Sequence, residues 1–218
     1  MVTTLLLVRH GQSTWNAQRR WQGQADPPLS ALGRNQAASA VDALDRLVER
    51  LATSTAGVID AVVSSPQLRA AETADILTEG ASCTQHIDSI ERLPDLRERS
   101  AGPWSGLTKD QIDEQYPNFL RDDLRPDGYE GDAPLYQRVR RTLIDLGQRH
   151  HGKTVLAVCH GGVINTVADQ LGGAAGRMPN LSGYPVTAAE ALENELAIGA
   201  RFDLLRAGDQ TGGDASRV

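Results

Sequence analysis

Cysteine is nearly absent: Cys83 and Cys159 are the only two in 218 residues, and they form no CxxC pair. That excludes a disulfide framework and a thiolate metal or redox motif, and two small buried thiols in a reducing compartment are expected instead. A block of basic charge is also lacking. Lysine and arginine total 22 against 28 acidic residues, a net charge of −6, so no nucleic-acid partner is expected. No apolar run is long enough to cross a bilayer. The first, Val2 to Val8, has no basic residue ahead of it and ends in Arg9-His10, which fits neither a signal peptide nor a membrane span. The expectation is a cytoplasmic protein with no membrane partner. An HExxH or comparable ligand spacing is missing too, so neither a metal nor another cofactor is expected.

What the chain does have is a pair of matching segments. Leu7-Val8-Arg9-His10-Gly11 opens it, and Val158-Cys159-His160-Gly161-Gly162 answers near the end. Leu5 to Val8 and Val155 to Val158 are short and apolar, as buried strands of a parallel sheet are. Each histidine then falls at the carboxyl end of a strand, the edge where open α/β sheets bind ligands, so the two suggest one shared site. The glycines allow tight turns and leave amide N–H groups to face an anion.

Between the two histidines, strands alternate with amphipathic helices. Ser30 is placed to cap one long helix with Ala37, Val41, Leu44, Val48 and Leu51 on its packed face. Val58 to Val63 reads as a strand, and Ser65-Pro66 as the N-cap and first position of a helix carrying Arg69 in its first turn. Thr108-Lys109-Asp110-Gln111 matches a capping box, and Leu135, Val139, Leu143 and Leu146 mark a later helix. Gly172 to Pro185 reads as a loop, and Glu195 to Leu204 as a last edge strand. The order predicts an α/β three-layer sandwich, a mostly parallel central sheet covered by helices on both faces. Residues 1–206 read as a single domain able to bury roughly 70% of its extended surface. Residues 207–218 have nothing to bury and read as a disordered tail.

One motif misleads. Gly147 to Thr154 fits GxxxxGK[ST], the phosphate loop of nucleotide triphosphatases. That loop needs a strand before it and a helix after it, so that helix amides face the phosphates. Here a helix precedes and a strand follows, which puts Lys153 at the wrong edge of the sheet. His86, His150 and His151 belong to no motif and are read as structural.

Taken together, several segments resemble the histidine phosphatase superfamily, in the branch that includes cofactor-dependent phosphoglycerate mutases and broad phosphatases. They are Arg9-His10-Gly11, Ser13 to Asn16, Pro28-Leu29-Ser30 with Gly33, Ser64 to Ala70 with Thr73-Ala74, Leu96-Arg97-Glu98, Gly102-Pro103-Trp104 and His160-Gly161-Gly162. The resemblance implies a phosphomonoesterase acting without metal on small phosphorylated metabolites. His10 would be the nucleophile that carries the phosphoryl group. Arg9, Arg69 and a protonated His160 would neutralise the transferred group, and Asn16 would add a neutral donor. Glu98 would protonate the leaving alcohol and then activate water. Gln22 and Gly23 match a segment near the substrate.

A mutase must shield its phosphoenzyme from water, whereas a phosphatase must admit it. The cover in this family follows the acid, and here residues 99–131 form a shorter cover than the mutases carry, with Arg97 where mutases have asparagine. Both features favour a phosphatase over a phosphoglycerate mutase or a non-catalytic member that only binds phosphorylated ligands. Within the cover, Arg121, Arg125, Phe119 and Tyr129 are candidates to meet the substrate. Ser105 replaces the family's glutamate, and Gly131-Asp132-Ala133 replaces its G-E-S. An edge-strand homodimer is left open.

Overall fold

The computed structural model describes residues 2–51, 57–174, 176–189 and 195–205. Strand β1 (Val2–Arg9) lies at the centre of a seven-stranded sheet, because Leu5, Leu6, Leu7 and Val8 have no polar face to expose and all four are fully buried. Burying each such side chain contributes roughly 1.5–3 kcal/mol. The strand order is β3-β2-β4-β1-β5-β6, with β2 at Ala61–Ser64, β3 at Glu91–Arg92, β4 at Thr154–Cys159, β5 at Ser182–Ala189 and β6 at Glu195–Ile198. β7 (Phe202–Asp203) also pairs with β5. The β3-β2-β4-β1 half is parallel, and the β5, β6 and β7 pairings are antiparallel.

Helices cover both faces, as expected. Strand residues alternate between the two. Leu6, Val8, Leu156 and Val158 pack under α3 (Val41–Leu51) and α4 (Leu68–Gly80), and α2 (Ala31–Ser39) packs against α4. Leu5, Leu7, Val155 and Ala157 pack under α6 (Asp132–Arg149) and α7 (Gly161–Leu171). Two smaller helices, α1 (Thr14–Ala17) and α5 (Lys109–Gln115), each begin with a capping box, the second being the predicted Thr108–Gln111 pair.

Four expectations are corrected. The helix opened by Ser30, whose hydroxyl accepts from Gly33, breaks at Ala40 into α2 and α3; Val41 is only partly buried and Leu51 is exposed. Ser65 is not the cap of α4, which starts from Gln67 with no side-chain cap. The supposed loop ending at Pro185 runs into β5. Gly183 is required there, since a Cβ would come within 1.7 Å of the Leu7 carbonyl oxygen. Pro185 is tolerated because its carbonyl accepts from Gly199. Its missing N–H would point the same way, into the break between β6 and β7. That break also splits the single last strand that was expected. The 207–218 tail lies outside the described residues. No described helix is long and apolar enough to cross a membrane.

Candidate active site

β1 and β4 are parallel neighbours with Arg9 opposite Cys159, so His10 and His160 occupy the next position along. Their ring centroids lie 5.2 Å apart at 64°. His10 N–H still donates to the Cys159 carbonyl (3.1 Å), and the amide nitrogen of Asn180 donates to the His10 carbonyl (2.8 Å). Strand pairing thus places the two histidines side by side, and the Asn180 side chain ties down the His10 carbonyl.

His10 Nδ1 donates to the Gly11 carbonyl at 2.6 Å. A carbonyl only accepts, so Nδ1 carries the hydrogen and Nε2 keeps the lone pair. His160 is fully buried; its Nε2 pairs with the Ser65 hydroxyl at 2.8 Å, and its Nδ1 has no partner. Burial holds the His160 imidazolium well below the ordinary histidine range, aided by the charges of Arg69, His10, Arg9 and Arg138. Burial and these cations oppose the protonated His160 that the resemblance implies, and an anion beside the ring would favour it.

Arg9 and Arg69 are 2% and 0% exposed. The Arg9 guanidinium donates to the Met178 carbonyl. Arg69, in the first turn of α4, donates to the carbonyls of Ala25 (2.8 Å) and Gly23 (3.0 Å). Burial lowers Arg69 to about 10, offset by the charges of Glu98 and Asp26, so it stays charged at neutral pH. Glu98 follows the tight turn Pro94–Leu96. One carboxylate oxygen accepts from Arg99 N–H (2.9 Å) and the other from Gly162 N–H (3.0 Å) at the start of α7. A Cβ at Gly162 would sit 2.3 Å from Glu98 Oε1, so a larger residue there would displace the Glu98 carboxylate.

These residues border a cleft of about 320 Å³. Its lining takes in Arg9, His10, Gln22, Gly23, Arg69 and Glu98. Asn16 is not part of that lining: it is buried, and its carbonyl oxygen accepts from Ser13 N–H in the α1 capping box. His160 lies behind the lining. Gln22 accepts from Ser13 Oγ, and its own carbonyl accepts from Ser105, so this departure from the family pattern touches the substrate segment. Asp132, another departure, pairs with Arg99 at 2.7 Å.

The outer wall comes from the cover. Trp104, Ile112 and Leu120 make a small apolar core with Trp21, Tyr116, Phe119 and Tyr129. Arg125 lies over the Trp104 and Tyr129 rings, 5.7 and 5.4 Å from their centroids. Arg125 and Tyr129 line the cleft, while Phe119 packs in the cover core and Arg121 points to solvent beside Asp122. Lys153 immediately precedes β4, at the opposite end of the strand from His160, as its reversed surroundings foretold. Among the described residues no cluster of three or more His, Cys, Asp or Glu is gathered that could hold a metal.

Sequence reasoning missed two supports, although both lie inside a quoted segment. Ser65 holds His160. Gln67 donates to the Gly23 and Ala25 carbonyls (3.1 Å each) and accepts from Glu98 N–H (2.8 Å), which ties the segment that holds Arg69 to Glu98.

Paired histidines and buried arginines gather at the sheet's carboxyl edge, where open α/β sheets bind ligands. The chain belongs to the histidine phosphatase superfamily (branch 1), whose family model matches residues 5–193. It is 35% identical over 173 residues to a metal-independent phosphoserine phosphatase of Arabidopsis thaliana, covering 76% of this chain and 67% of the relative. It is 32% identical over 216 residues to a glucosyl-3-phosphoglycerate phosphatase of Mycobacterium tuberculosis, covering 93% and 90%. The solved structure of a mycobacterial glucosyl-3-phosphoglycerate phosphatase in complex with VO3 superposes with a TM-score of 0.74 at 28% identity, over 92% of this chain and 98% of that one.

Proposed function

We propose that the protein is a metal-independent phosphomonoesterase that hydrolyses small phosphorylated metabolites through a phosphohistidine on His10. The observation that carries this reading is the hydrogen bond from His10 Nδ1 to the Gly11 carbonyl, which leaves a lone pair on Nε2 of a ring bordering the cleft. A neutral imidazole attacks without a separate base. In the first step Nε2 bonds to phosphorus as the ester P–O bond breaks, and Glu98 gives a proton to the departing oxygen. In the second, ionised Glu98 takes a proton from water as the water oxygen bonds to phosphorus and the N–P bond breaks. His10 returns to its neutral form and phosphate is free.

Arg9 and Arg69 meet the charge on the equatorial oxygens. His160 joins them once an incoming dianion offsets the surrounding cations and the ring gains a proton. With that charge met by side chains, the reaction calls for no divalent cation. Asn16 contributes through its amide nitrogen, its oxygen being held in the capping box. Gln22 and Gly23 border the alcohol portion of the ester.

The test is a screen of small phosphomonoesters with EDTA present, including phosphoserine and glucosyl-3-phosphoglycerate because two relatives are named for them. Phosphate release with EDTA, and an acid-labile phosphoenzyme lost in His10→Ala together with turnover, is the expected result. Activity that collapses with the chelator, or that survives in His10→Ala, overturns the proposal. Isomerisation of 2-phosphoglycerate faster than phosphate release would make the protein a mutase. No release from any ester would make it a phospho-ligand-binding protein.

A further inference from the structure

We propose that Arg138, clamped by Glu130, is a positioning residue that sets the main chain of Glu98 and so aims the acid at the leaving group. The inference rests on the reading of Glu98 given above. Arg138 lies on α6 and reaches under the acid turn with both edges of its guanidinium. Its Nε and one terminal nitrogen donate to the two carboxylate oxygens of Glu130, at 2.8 Å each. The other terminal nitrogen donates to the Asp95 carbonyl (2.6 Å), and the shared one also to the Glu98 carbonyl (3.2 Å). One planar group thus holds a carboxylate on one side and the two carbonyls bracketing the acid turn on the other, which is the fork geometry that arginine has and lysine lacks.

Glu130 does more than balance charge. Its N–H donates to the Ser100 carbonyl (2.9 Å), its carboxylate accepts from Ser100 N–H (3.2 Å), and Ala101 and Tyr129 form the next antiparallel bridge. The two ends of the cover are therefore zipped together at Glu130 and bolted by Arg138 to the helix beneath. Both side chains are largely withdrawn from water, at 13% and 16% exposure, unlike the open surface pair Lys109–Asp113 at 54% and 44%. Burial favours the protonated form of Glu130, but the bond and charge of Arg138, the Ser100 amide and the charge of Arg99 hold its pKa below the ordinary carboxylate value. Further along the same turn, Arg99 reaches Thr166 Oγ1 (2.8 Å), and its N–H bonds the Glu98 carboxylate. The Glu98 peptide is thereby fixed from below by Arg138 and its side chain from above by α7.

The experiment separates positioning from plain stability by leaving group. An acid matters greatly for an alkyl ester such as glycerol phosphate and little for p-nitrophenyl phosphate, whose phenolate leaves unaided. Arg138→Met is expected to lower kcat/KM, which reports phosphoenzyme formation and not the later attack of water that both esters share, about 100-fold on the alkyl ester and less than about 3-fold on the aryl ester. Arg138→Lys, which keeps the charge but loses the fork, and Glu130→Gln, which leaves the arginine in place, are expected to show the same selectivity at smaller size. These two decide the matter if Arg138→Met does not fold. Equal losses of kcat/KM on both esters overturn the inference. Glu98→Gln is measured beside them. If it too shows no leaving-group selectivity, the acid assignment itself has failed; if it is selective and the Arg138 and Glu130 variants are not, only the positioning role falls.

Discussion

The inner and outer ends of the cleft treat positive charge in opposite ways. At the inner end Arg69 is fully buried, its hydrogen bonds go to the Gly23 and Ala25 carbonyls, and among the described residues no carboxylate pairs with it. At the outer end Arg99, Arg125 and Arg138 each face an acid: Asp132, Asp123 and Glu130. A buried cation with no carboxylate bonded to it costs free energy, and burial takes Arg69 down to about 10 despite the more distant charges of Glu98 and Asp26. Such a cation is worth keeping where the missing anion arrives with a ligand. The outer arginines, already neutralised, hold the cover and the acid turn instead.

The sharpest way to break this contrast is to remove one arginine from each end. Arg69→Met is expected to lower kcat/KM about 1,000-fold, since a preorganised donor in a water-poor site is worth two to three orders of magnitude. Its melting temperature should not fall, because the desolvation cost goes with the charge and Gln67 still donates to both carbonyls. A cooperative loss of stability in Arg69→Met would show that the inner cation is structural. Arg138→Met is expected to behave the other way in urea unfolding. It leaves Glu130 largely buried without its partner, a loss of about 3 kcal/mol. If both variants lose the same stability, the two ends do not differ.

A smaller effect concerns His160. Burial and the surrounding cations hold its pKa well below the ordinary histidine range. An anion at the inner end reverses that balance, so binding should take up to about one proton near neutrality. Sulfate is the suitable ligand, because it does not itself titrate there. Calorimetry in two buffers of different ionisation enthalpy measures the uptake, and the difference from His160→Gln isolates the ring. No difference between the two proteins would mean that His160 stays neutral in the loaded site.

The inner end was legible in the sequence and the outer end only in outline, for a physical reason. Leu5 to Val8 and Val155 to Val158 are apolar on both faces, which marks a central strand and carries His10 and His160 to the same edge. Arg9 and Arg69 stand at fixed offsets from those strands or from the start of α4. Arg138 carries no such mark. It sits on an amphipathic helix among Arg140, Arg141 and Arg149, where any basic residue reads as solvated, and only the folded cover shows that it turns inward. Strand β5 was hidden likewise, because Gly183 and Pro185 look like loop residues until the neighbouring carbonyl and the gap beside β6 explain them. Asn16 was legible as part of a segment, but its cap role requires the α1 geometry.

The smallest expected effect tests the outer end by pH. Glu130 has its folded pKa below the ordinary 4.5 because Arg138, the Ser100 amide and Arg99 outweigh its burial. A carboxylate lowered on folding stabilises the protein fully above its unfolded value, and that contribution drains away as pH falls through the folded value. The stability of the native protein should therefore hold from neutrality down to about pH 5 and then drop on the acid side. Glu130→Gln begins from a lower midpoint and lacks this part of the drop, so the two urea midpoints converge as the pH is lowered. Parallel curves would place the Arg138–Glu130 pair among the solvent-screened surface bridges and remove the distinction between the outer clamp and an ordinary exposed ion pair.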